Sequence, residues 1–153
     1  LINPGSNYKV FDDILKYVYD AGEGTGDKED VGNQQNYKMG VLMGIMTVAS
    51  IEKATEKYGN KPMSGEQVRW GIENLDFNKA KLQEMGIDGL IPPFKVSCAD
   101  HEGSAPVKFQ RWNGEAFDPA SDWISTDQSI VRPMIEASAA GYAKEKGITP
   151  RCN

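Results

Sequence analysis

Histidine is almost missing from this 153-residue sequence; His101 is the only one. Cysteine is nearly as scarce. Cys98 and Cys152 are the only two, and they form no CxxC pair. That scarcity argues against a zinc site and against a thioredoxin-like redox centre. Positive charge is also in deficit, with 17 Lys and Arg against 22 Asp and Glu and a net charge of −5. A nucleic-acid-binding surface needs a basic face, so that class is disfavoured. Long apolar runs are lacking too. The longest, Val41–Ile51, is interrupted by Gly44 and Ser50 and is too short to span a bilayer. No basic stretch followed by an apolar one opens the chain, so a signal peptide is expected to be absent or already removed. Leu1-Ile-Asn-Pro4 reads as an extended segment of a longer protein, because Pro4 biases Asn3 away from helix.

What is present describes a folded domain. Hydrophobic residues make up 39% and charged residues 25%, too apolar for a disordered chain. A chain of this length can bury about 70% of its unfolded surface in one core. Sixteen glycines and eight prolines imply several loops.

Apolar periodicity places about five helices. Val10, Phe11, Ile14, Leu15 and Val18 share one face of a helix from about Tyr8 to Asp20, capped by Ser6 or Asn7 and ended by Gly22. The loop from Glu23 to Gln35 carries Asp27, Glu29 and Asp30. It lacks the EF-hand register, so a solvated acidic loop is expected and no metal. Tyr37 to Tyr58 reads as a long helix, apolar nearly all round in its first half and therefore covered on most sides. Its methionines fit core packing better than a soft-ligand box. Gly40, Gly44, Val48 and Ala49 add a small-residue strip that would let another backbone approach closely. Ser64-Gly-Glu-Gln67 is a capping box opening a third helix to about Asn74. Phe77 to Met85 is a short helix closed by Gly86, and Ser129 to Lys146 a last one with Pro133 in its first turn. Val107 to Trp112 alternates, and Asn113-Gly114 signals a two-residue hairpin turn. Phe94 to Cys98 is a weaker strand.

Few residues could carry chemistry. Cys98 and His101 could form a nucleophile and base only if a turn brought them together, since on extended chain they face apart. A turn histidine satisfied by local hydrogen bonds is the simpler reading. Gly22-Glu-Gly-Thr-Gly26 does not follow a strand, as a phosphate loop requires. No catalytic residue and no cofactor is assigned. Asn36 and Tyr37 open the long helix, where free N–H groups and an aromatic plate with a polar tip could meet a carboxylate. Equally, Tyr37 could be core and Asn36 the helix cap.

The order of segments carries a resemblance. Tyr37 opens the apolar helix that ends in Ile51-Glu-Lys-Ala54. Then come Gly65-Glu-Gln-Val-Arg-Trp-Gly-Ile-Glu-Asn74, the run from Pro92 to Gly103, Val107 to Gly114, Trp123-Ile124 and Val131 to Ala137. Together they resemble the C-terminal portion of a type I periplasmic substrate-binding protein of ABC transporters, in the branch of the leucine/isoleucine/valine-binding proteins. The resemblance implies a partial α/β fold, helix-rich and α+β in isolation. Residues 1–108 would form the second section of the amino-terminal lobe, and 109–153 a hinge strand, hairpin and C-terminal helix and tail.

The implied function is an extracytoplasmic solute-binding component of an importer. It would bind an amino acid or related carboxylate or amide without chemistry, and so would not be an enzyme. A ligand-sensing receptor domain and a Cys/His amidase-like hydrolase are the alternatives. The implied partners are the solute, the membrane permease, and the missing N-terminal part of the protein or a second copy. Asn36 and Tyr37 would sit at the solute pocket. A periplasmic location is oxidising, so Cys98 and Cys152 should pair there. Closing that loop of about 55 residues would stabilise by about 4 kcal/mol in the chain-entropy picture; two free thiols are the other possibility.

Overall fold

The computed structural model describes residues 7–103, 106–149 and 151–152. Ser6, the segment around Pro4, and Pro150 lie outside the described residues. Among the described residues five α-helices and four strands follow one another: α1 (Lys9–Ile14), α2 (Gln35–Tyr58), α3 (Gly65–Ile72), β1 (Asp76–Phe77), α4 (Lys79–Glu84), β2 (Phe94–Lys95), β3 (Gln110–Trp112), β4 (Phe117–Pro119) and α5 (Gln128–Lys146), with a 3-10 turn at Lys28–Asp30.

Local chemistry accounts for most boundaries. Helix α1 starts after Tyr8, which makes no side-chain cap, and runs on as a π-helical turn over Leu15–Tyr19. The wider turn shifts the apolar register at the end of α1, leaving Tyr17 and Val18 exposed. Gly22, at φ 78°, turns the chain out of it. Ser64 accepts a hydrogen bond from the Gln67 N–H at 3.3 Å, and the Ser64 N–H donates to Gln67 Oε1 at 2.9 Å. These reciprocal bonds satisfy two donors that a helix start leaves unpaired. Asn78 caps α4 and Asp127 caps α5 one way only, their side chains accepting from the N–H groups of Lys81 and Ser129. Pro133 sits in the second turn of α5, not the first, so the Ser129 carbonyl loses its helical donor.

The core lies entirely in the first two-thirds of the chain. Phe11, Phe77, Leu82, Ile87 and Leu90 are at most 2% exposed, and the buried apolar set ends at Val96. Phe77 stacks on Phe94 with ring centres 4.8 Å apart, across the antiparallel pair of β1 with β2. Helix α3 crosses α2 at Gly71, where a Cβ would collide with the Ser50 carbonyl oxygen. Glycine here lets the two helices approach closely, and Ala54 fills the space beside it.

The second sheet pairs β3 with β4 in antiparallel register, Trp112 opposite Phe117. The connection is four residues, not two. Asn113 Oδ1 accepts from the N–H groups of Glu115 and Ala116 at 2.8 and 2.9 Å, and this side-chain turn replaces the tighter one. Val107 and Ile124 extend the pairing by a single bridge. Every residue of β3 and β4 is exposed. Helix α5, 19 residues long, buries none of its side chains.

Candidate functional site

Two features stand out from the core. One is the exposed apolar surface of α2. Its inner side is covered through Leu42, Ala49, Ser50 and Ala54, together with the Lys38 side chain. Elsewhere on its surface Met39, Met43 and Met46 form one exposed stripe and Val48 and Ile51 a second, towards the opposite face, with Met43 64% and Val48 56% exposed. Nothing approaches a Cβ position at Gly40 or Gly44 within 4 Å. An apolar groove runs beside the second stripe, lined by Val10, Val41, Ile45 and Met85. The expectation that α2 is covered nearly all round therefore holds only in part.

The second feature is the turn at residues 97–103. Ser97 and Asp100 exchange backbone hydrogen bonds, and Asp100 Oδ1 accepts from the N–H groups of Glu102 and Gly103 at 3.1 and 3.0 Å. Helix α3 grips this turn through Glu73, whose side chain is 10% exposed. Glu73 Oε1 accepts from Arg69 Nε at 2.7 Å and meets His101 Nε2 at 3.1 Å. Burial pushes the Glu73 carboxyl up, but hydrogen bonds from Arg69 and His101 outweigh it and hold it below its usual range. His101 is thus held by a residue 28 positions away, not by its own turn. Sequence spacing carries no signal for such a contact.

The same turn meets α5. Arg132 donates to the Ala99 carbonyl and pairs with Asp100 at 3.0 Å. Cys98 is joined to Cys152 in a disulfide, with Cα atoms 5.5 Å apart. Arg69 Nη2 lies 3.7 Å from Cys98 Sγ. With its sulfur in the bridge, Cys98 is no thiolate nucleophile for His101.

Asn36 and Tyr37 lie elsewhere. Asn36 is exposed, and the helix cap falls on Gln34. Tyr37 is half-buried and packs edge-on to Phe11, ring centres 6.5 Å apart. Burial, aided by Tyr19, raises its phenol above the ordinary range. The two do not converge on a cavity: Tyr37 turns inward and Asn36 outward. Among the described residues no group of three or more His, Cys, Asp and Glu could hold a metal ion. No helix among them is long and apolar enough to cross a membrane.

Comparison with known proteins is sparse. No family model matches the chain, and no curated protein does. One solved structure is similar, described as the crystal structure of an ABC transporter permease from the Pseudomonas fluorescens group. The two are 36% identical with a TM-score of 0.89 over 99% of this chain. The chain spans 37% of that protein's length. The likeness associates the chain with an ABC transporter system. It also corrects the resemblance drawn from the order of segments. The similar structure is described as a permease, not as a periplasmic substrate-binding protein, so the solute-binding reading is set aside. It favours neither the receptor-domain nor the hydrolase alternative.

Proposed function

We propose that the chain is a non-spanning section of an ABC transporter component, and that it works by docking, without chemistry of its own. The observation that carries this is the exposed apolar surface of α2. Exposed methionines on one face and Val48 and Ile51 on another, the latter beside a groove lined by Val10, Val41, Ile45 and Met85 and rimmed by Glu52, Lys81 and Glu84, leave more large apolar side chains to water than one helix of a folded chain normally does. The occupant is a polypeptide like the remainder of the Pseudomonas fluorescens-group permease, the part this chain does not span. Covering the exposed methionines, Val48 and Ile51, each already about half covered, would bury area worth about 1 kcal/mol per side chain before the costs of association. The Cys98–Cys152 bridge favours an oxidising, periplasmic setting.

Co-expression of the chain with that remainder tests the reading. A one-to-one complex is expected, lost when Met43→Glu and Val48→Glu are introduced together. A chain that stays a compact monomer beside the added polypeptide would overturn it. So would a homodimer that excludes it.

A further inference from the structure

Helix α5 and its flanking segments hold to the rest of the molecule in an unusual way. The helix buries no side chain, and the hairpin before it is exposed throughout. Much of its attachment falls on the turn at residues 97–103, with an exposed Arg151–Glu66 ion pair to α3 at 3.9 Å besides. Arg132, near the start of α5, grips the Ala99 carbonyl and the Asp100 carboxylate. Past the end of α5 the tail folds back, and Cys152 closes on Cys98 of the same turn. Gly147 makes this reversal possible: it adopts φ 63°, and the Ile148 N–H donates to the Ala143 carbonyl at 2.9 Å. The turn itself is anchored from below by Glu73 through His101.

We propose that the Cys98–Cys152 bridge is an oxidation-set latch that fixes the arm, residues 106–152, against the compact unit. With the bridge closed, the turn, α5 and the tail form one covalent ring and the arm keeps its place. With it open, the remaining polar grips include the Arg132 pair, partly solvated, and the exposed Arg151–Glu66 pair at 3.9 Å, and such pairs hold weakly. Both sulfurs belong to half-buried residues, so a small dithiol can reach them. Its thiolate attacks one sulfur, the Cys98–Cys152 bond breaks, and a mixed disulfide forms. The displaced chain thiolate takes up a proton. The second thiol of the reductant then closes its own disulfide and releases the other chain thiol. The chain gains two electrons and two protons, and the dithiol loses the same.

The latch deepens the docking reading, since a fixed arm presents its apolar residues in one arrangement, and it rests on that reading for its purpose alone. Its existence is tested on the chain by itself. Ion-mobility mass spectrometry selects the monomer, so association does not interfere. Treatment with a dithiol such as dithiothreitol should shift the monomer to a larger cross-section, with the helical circular dichroism signal kept. Cys98→Ser with Cys152→Ser should show the same larger species without reductant. Oxidised Arg132→Ala should stay compact. An unchanged cross-section on reduction would overturn the latch, as would a loss of helical signal accompanying the expansion. Expansion of oxidised Arg132→Ala to the reduced size would assign the hold to the ion pair and overturn it too. If the latch holds and no complex forms with the permease-like remainder, the docking reading alone fails.

Discussion

Residues 7–103 and residues 106–152 are built on different terms. The first region encloses every large side chain that is fully buried, and its helices meet through close backbone contact at Gly71. The second has a regular hairpin and a 19-residue helix, both correctly capped and closed, yet neither buries a side chain among the described residues. Secondary structure in the arm is therefore local in origin: the Asn113 turn, the Asp127 cap and the Gly147 reversal. Local bonds define a shape, but without burial they supply little stability against the entropy of the chain. The arm's exposed Phe109, Trp112, Phe117, Ile130 and Met134 are apolar enough for a core that this chain does not complete.

Substitutions should break or sharpen that contrast. The largest effect is expected at Leu82, fully buried in the first region. Leu82→Ala should lower unfolding free energy by about 2–5 kcal/mol in chemical denaturation, through lost burial and the cavity left behind. Ile130→Ala in the arm, 62% exposed, should stay within about 0.5 kcal/mol. Equal effects would erase the distinction between the regions. Next is Gly71→Ala, which forces α3 away from the Ser50 carbonyl and should cost about 1–3 kcal/mol by the same measurement.

Glu73 ties α3 to the turn at residues 97–103 within the first region, and its effect depends on pH. Its carboxyl is held below its unfolded value, so the stability it adds is fully present above the ordinary carboxylate range. That stability is lost as pH falls through the lowered value. Glu73→Gln should cost about 1–2 kcal/mol at neutral pH and show a shallower loss of stability on acidification. Parallel acid profiles for the two proteins would remove Glu73 from the account. Smallest is Ser64→Ala, expected to cost about 1 kcal/mol through one lost cap, read as a shift of the denaturation midpoint.

The sequence made some of this legible and hid the rest for identifiable reasons. The capping box at Ser64 and Gln67, the length of α2 and the closures at Gly86 and Gly147 depend on residues a few positions apart, which a linear reading can see. The π turn after α1 has no residue signature. The hairpin turn was misjudged because Asn113 uses its side chain to close a wider loop than Asn-Gly usually makes. The hold of Glu73 on His101 joins residues 28 apart, and the partial cover of α2 depends on what else is present to pack on it. Composition marks α2 as apolar but not which side is met. Asn36 and Tyr37 are neighbours in sequence, but one helical position turns Tyr37 towards Phe11 and Asn36 to solvent.

Amide hydrogen exchange, compared between regions with and without the permease-like polypeptide, tests the central contrast most directly. In the chain alone, amides of Leu42–Ala54 and Leu75–Leu90 should be strongly protected, while those of β3, β4 and α5 exchange orders of magnitude faster. Adding the polypeptide should slow exchange in α2, whose exposed apolar residues it covers, and in α5 and the hairpin. Protection of α5 in the isolated chain as strong as that of α2 would contradict the account.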